Sequence, residues 1–239
     1  MDALAELWEH LFSTAKPTDA WIVIATGVVA VVVVMVSGSW RLARNVVTIA
    51  HEGGHAMIAI LTGRSLHGIR LHADTSGLTY TRGSRGGPSA ILTLLAGYLT
   101  PAVIGLLSAW LIWMGNIVLL LWIMIVLLVA MAVFIRNLYG VFSIVVVGFA
   151  IFAIAWWANP EIQSTLAYAG AWFLLIGSVR PVWEVWRQRT RGQQRNSDPD
   201  QLAELTHVPA TLWLILFALF NIGAMALGFQ LLFPPGLDW

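Results

Sequence analysis

Apolar residues in this chain come in long unbroken runs rather than in alternation. The first, Trp21–Val36, is rich in valine and carries no charge. A second, Leu42–Leu61, is longer but is interrupted by ionisable groups, and a polar stretch from Thr62 to Pro88 follows it. Five more runs cover Ala90–Trp113, Ile117–Phe134, Val141–Trp157, Leu166–Val179 and Thr211–Phe233. Such runs read as helices in a hydrocarbon environment, where every backbone polar group must be satisfied within its own segment. The expected fold is an all-α polytopic membrane protein with about seven transmembrane helices, forming a single domain over residues 1–239. Residues 64–88 break the pattern. Leu66–His72 partly alternates, Asp74-Thr75-Ser76-Gly77 fits a turn, and Leu78–Thr81 is strand-like, so a short β-hairpin is expected after the second helix. In the third run, Gly97 and Pro101 suggest close helix contact and a kink.

Composition agrees with the periodicity. Of 239 residues, 59% are hydrophobic and 10% charged, with 13 tryptophans, and the mean hydropathy is +0.79. The lipid bilayer is therefore the expected surroundings. A net charge of +1 gives no reason to expect a nucleic acid partner. The absence of cysteine excludes disulfides and thiolate chemistry, leaving His, Asp and Glu as metal ligands. Residues 1–16 lack the basic start of a cleavable leader.

Basic residues suggest an orientation. With seven spans and a cytoplasmic N-terminus, Lys16, Arg64, Arg70, Arg82, Arg85, Arg136, Arg180, Arg187, Arg189, Arg191 and Arg195 fall on the cytoplasmic side and only Arg41 and Arg44 opposite, a ratio of 11 to 2. The hairpin and the segment 180–207 would then be cytoplasmic. Trp183 and Trp186, within an amphipathic stretch from Arg180 to Arg195, look like interfacial anchors.

The second run holds the candidate chemistry, His51-Glu52-Gly53-Gly54-His55. On a helix, residues four apart share a face, so both imidazoles can converge on one ion, and Glu52 projects about 100° away from His51, near enough to act on water. Zinc-assisted hydrolysis is the chemistry this spacing suggests, since ionisable groups inside a membrane helix are costly and usually functional. A catalytic zinc site needs a third protein ligand. Asn196–Glu204, just before the last run, offers Asp198, Asp200 and Glu204. Asp198-Pro199 also fits a helix N-cap with proline at the first helical position, opening a short helix Pro199–Leu205 that ends before Pro209. Gly53 and Gly54 suit either close helix packing or approach of a substrate backbone. His67 and His72 read as surface histidines of the hairpin.

The motif in a membrane helix, the hairpin after it and a distant Asp resemble the site-2 protease family of intramembrane zinc metalloproteases, in its M50B-like branch. Further elements of the resemblance are Ser76-Gly77-Leu78-Thr79 with Arg82-Gly83, Leu95-Ala96-Gly97-Tyr98-Leu99-Thr100-Pro101-Ala102, Arg136-Asn137-Leu138-Tyr139-Gly140, and Asn196-Ser197-Asp198 with Gln201-Leu202-Ala203. It implies a zinc cofactor held by His51, His55 and Asp198, Glu52 as general base, and membrane-protein substrates cut at a peptide bond in a bacterial inner membrane. Asn137, at a helix end beside Arg136, is a candidate to stabilise an oxyanion, or else a residue that caps and anchors that end. The hairpin edge could hold an unwound substrate extended. Two other readings use the same residues. One is a zinc peptidase acting on tails at the cytoplasmic face, with Glu204 as third ligand; the other is a non-enzymatic zinc-binding membrane protein. Transport would call for repeated halves and several intramembrane carboxylates, and neither is visible.

Overall fold

The computed structural model describes residues 18–84, 86–193 and 196–233. Nine helices and one hairpin occur among them: α1 (Ala20–Met35), α2 (Ser37–Leu61), β1 (Ser65–Leu71), β2 (Gly77–Arg82), α3 (Pro88–Trp113), α4 (Ile117–Ala132), α5 (Leu138–Trp157), α6 (Pro160–Gly177), α7 (Val179–Thr190), α8 (Asp198–Thr206) and α9 (Ala210–Leu232). Large apolar side chains such as Val28, Phe149 and Leu219 point outward, with more than half of their surface exposed. That outward apolarity is what contact with lipid requires. Small residues fill the inside, and Ala59, Ala102 and Ala109 are fully buried.

Four helices are long and apolar enough to cross a membrane: α3, α5, the continuous α6–α7 and α9. A fifth arises if α1 and α2 count as one broken span, since they meet at a 102° bend. The expected seven is thus reduced for two physical reasons. The 16 residues of α4 reach only about 24 Å at 1.5 Å per residue, short of a hydrocarbon core of roughly 30 Å. And α2, which carries Arg41, Arg44 and the ionisable motif, passes the test only together with α1.

The bend has a larger consequence. At one end of the molecule Val23 of α1, Ile112 of α3, Ile117 of α4 and Leu232 of α9 share a single apolar cluster. At the other end lie α7, α8 and the hairpin. There α2 starts, with the Trp40 indole N–H donating to Glu184 of α7 at 2.8 Å and Arg44 pairing with the same carboxylate at 3.4 Å. The hairpin that follows α2 leads on to α3, and a Cβ at Gly86, just before α3, would lie 3.8 Å from Leu205 of α8. Arg44, expected opposite most of the other arginines, pairs with Glu184 of α7, the helix that also carries Arg180, Arg187 and Arg189. Helix α2 runs on from the bend as one unbroken helix of 25 residues, and the count of 11 to 2 assumed seven separate spans where four, or five with the bent pair as one, are long and apolar enough.

The hairpin is anchored on both strands. β1 and β2 pair antiparallel, with a bulge between Leu66 and Gly68. The far edge of β1 is taken by the α4–α5 connection, since Ile69 N–H donates to Phe134 O at 2.8 Å and Arg136 N–H to Ile69 O at 2.9 Å. Ile69 and Leu71 are fully buried against Ile49, Met131 and Ile144. At the tip, Asp74 accepts from the Ser76 amide at 2.9 Å, which closes the turn, and the Thr48 hydroxyl of α2 donates to Thr75 O at 2.8 Å. β2 therefore lies along α2 beside the motif.

Candidate metal centre

His51 and His55 stand one turn apart on α2, and their Nε2 atoms are 3.1 Å from each other. Asp198 Oδ2 lies 3.2 Å from each of them. These three residues form a group able to hold a metal ion. The triangle fits zinc: with bonds of about 2.0–2.1 Å, tetrahedral ligand atoms sit about 3.3 Å apart. The donors fit too, being two imidazole nitrogens and one carboxylate oxygen. His55 Nδ1 is 2.7 Å from Thr93 O, and a carbonyl can only accept, so Nδ1 carries the proton and Nε2 presents its lone pair to the centre.

The supporting residues explain the convergence. Gly97 of α3 lies directly behind the imidazoles, where a Cβ would fall 2.5 Å from His55 Cε1 and 2.7 Å from His51 Cε1. Beside it, the Tyr98 ring meets His51 edge-on at 4.9 Å and stacks on Phe217 at 5.1 Å. Gly54 allows α2 and α3 to touch, since a Cβ there would come within 2.2 Å of the Thr100 hydroxyl oxygen and 2.9 Å of Ala96 O. Of its two sequence readings, helix packing is the one realised.

Asp198 arrives from the opposite end of the sequence through α8. The expected N-cap is displaced by one residue, to Ser197. Asp200, three residues on, accepts from the Ser197 amide at 3.0 Å and from its hydroxyl at 2.6 Å, and pairs with Arg189. Asp198, in the first turn but not capping it, is left to face the histidines. Helix α8 is held by Leu202, fully buried among Tyr98, Val182, Leu214 and Phe217, a burial that stabilises by about 1.5–3 kcal/mol. Burial raises the Asp198 pKa, but the neighbouring His55 and His51 outweigh it and hold the carboxyl below the ordinary carboxylate range. Asp200 is likewise held low, by Ser197 and Arg189 against its burial. Of the three candidate carboxylates only Asp198 joins the cluster, for Asp200 is engaged elsewhere and Glu204 is exposed.

Glu52 is buried, at 4% exposure, and its carboxylate accepts a 2.6 Å hydrogen bond from the Thr79 hydroxyl of β2. Gly77 gives it room, as a Cβ there would lie 2.5 Å from Glu52 Oε1. Asn137 precedes α5 and binds the end of β1: its Oδ1 accepts from Leu71 N–H at 3.2 Å and its Nδ2 donates to Leu71 O at 2.7 Å. The role the structure displays for it is anchoring. His67 and His72 are exposed, as surface histidines are. Thr79 and Tyr98 stand in the sequence only as members of longer motifs, and neither they nor Thr93 are given a role there, because nothing in their local pattern sets them apart.

The fold and the site together define a class, that of helical membrane proteins carrying a two-histidine, one-carboxylate centre beside a helix-borne glutamate. Within that class the chain belongs to the Peptidase M50B-like family, whose model matches residues 24–228. No curated protein and no solved structure gives a significant match.

Proposed function

We propose that this chain is an intramembrane zinc metalloprotease that hydrolyses peptide bonds of membrane-spanning substrates. The observation that carries the reading is the convergence of His51 Nε2, His55 Nε2 and Asp198 Oδ2 within 3.2 Å of one another, in a chain of a peptidase family. A zinc ion held by these atoms would supply Lewis-acid chemistry, polarising the scissile carbonyl and making water more acidic. Glu52 would take a proton from the attacking water and return it to the departing amine. The Thr79 hydroxyl orients that carboxylate, and Asn137 keeps the hairpin in place over it.

Substrate would reach the site as an extended segment. The outer edge of β2 has no backbone partner among the described residues, and it runs beside Glu52. A substrate helix must unwind before cleavage, and an added strand would hold it open. The arginine-bearing end is read as cytoplasmic. Because α1 starts at the other end, its Ala20 end would face the outside, which reverses the orientation expected from seven spans.

The test is metal and activity analysis of purified full-length protein. The parent and Glu52→Gln should both contain one zinc, while Glu52→Gln loses cleavage of a single-span substrate by the roughly 10²–10⁴ that a general base contributes. Asp198→Ala should lose the metal. Undiminished cleavage by Glu52→Gln would remove the mechanism. A parent that holds zinc tightly but cleaves no membrane substrate in a broad set would favour the non-enzymatic reading.

A further inference from the structure

Away from the metal centre, a groove of about 1340 Å³ opens on the outer surface between α1, α6–α7 and α9. It exceeds the roughly 300–1,000 Å³ of ordinary small-molecule pockets. It is also strongly polarised along its length. Val23, Val28, Trp172, Met225 and Phe229 line most of it, while Arg180, Trp183, Glu184 and Arg187 line the end formed by α7. Residues 180, 183, 184 and 187 follow the helical i, i+3, i+4, i+7 spacing, so one stripe of α7 faces the groove.

The charge at that end is positive. Glu184 already accepts from Trp40 at 2.8 Å and Arg180 at 3.2 Å and is paired with Arg44 at 3.4 Å. Arg187 is exposed and has no carboxylate partner among the described residues. Trp183, 62% exposed, is the side chain that favours the boundary between hydrocarbon and headgroups. From Met35 back to Val23 the apolar part extends about 18 Å at 1.5 Å per residue, close to the roughly 15 Å of one leaflet's hydrocarbon.

We propose that this groove binds an anionic phospholipid, with its phosphate at Arg180 and Arg187 and its acyl chains along α1 and α9. Basic pockets between membrane helices are suited to anionic headgroups, and the apolar lining suits nothing hydrated. The site stands on the groove alone and is independent of the peptidase reading.

Full-length protein reconstituted in nanodiscs of equimolar phosphatidylglycerol and phosphatidylcholine, then released into mild detergent, tests this by native mass spectrometry of the retained lipid. The parent should retain phosphatidylglycerol in preference. Arg187→Gln should lower that preference about fivefold, the effect of one basic residue near an anionic lipid, and Arg187→Lys should restore part of it. Arg191→Gln, exposed nearby but outside the groove, should change nothing, and Val28→Trp should reduce retention of both lipids by filling the apolar track. Equal retention of the two lipids by the parent overturns the proposal, as does equal loss in Arg187→Gln and Arg191→Gln. Unchanged retention in Val28→Trp, or a bound peptide in place of lipid, overturns it as well.

Discussion

Gly97→Ala adds a single methyl group at the point where both imidazoles meet α3. The new Cβ would lie 2.5 Å from His55 Cε1 and Nε2 and 2.7 Å from His51 Cε1, whereas carbon atoms rest about 3.5–4.0 Å apart. The rings must therefore retreat by about 1 Å, or α2 and α3 must separate. Helix separation is opposed by the contact of Gly54 with Thr100 and Ala96, so the imidazoles are the parts that move. A metal site tolerates only about 0.2 Å in its ligand distances, and disturbance of ligand orientation typically lowers affinity 10–100-fold. Zinc affinity should fall by at least that much. Stability should change little, because overpacking costs about 1–3 kcal/mol while replacing a helix-interior glycine by alanine returns about 1 kcal/mol. The assay is zinc content and chelator competition on purified protein, alongside thermal unfolding, with Gly223→Ala as the control because its Cβ meets nothing within 4 Å. Parental zinc affinity in Gly97→Ala would refute this packing of α3 behind the histidines.

Asp200→Ala removes the carboxylate that completes the capping box with Ser197 and the Arg189 pair, so it should cost about 1 kcal/mol of stability and weaken zinc binding less than Asp198→Ala does; metal analysis of the two variants decides, and greater loss in Asp200→Ala would move the ligand assignment. Protons and zinc compete for the same lone pairs, so bound zinc should be released as pH is lowered from 7 to 5 and regained on return, measured by equilibrium dialysis; occupancy independent of pH would argue against imidazole ligands. The chain has no cysteine, which makes labelling clean: Ala73→Cys in the hairpin turn and Glu161→Cys at the start of α6, both exposed, should label from opposite faces in intact cells, the latter from outside. Labelling of both from one face would reject the path of the chain described above.

What the sequence determined is local. Long apolar runs specify helices whatever they pack against, because a backbone in hydrocarbon has few other ways to satisfy its hydrogen bonds. Four-residue spacing puts His51 and His55 on one face for the same kind of reason, and Asp74 closes the hairpin turn through its own neighbour Ser76. The tertiary structure decided everything that joins distant segments. Spacing alone left Asp198, Asp200 and Glu204 open and only the family resemblance pointed to Asp198; the physical reason appears in the fold, where Ser197 and Arg189 engage Asp200 and Leu202 locks α8 into the bundle. The path of α2 was decided in the same way. Hydropathy measures a helix along its own length and is blind to its direction, so the 102° turn at Val36 and the meeting of Arg44 with Glu184 appear only once the helices have packed. Thr79 became the partner of Glu52 because the hairpin folds over α2, a contact between segments that no local periodicity encodes.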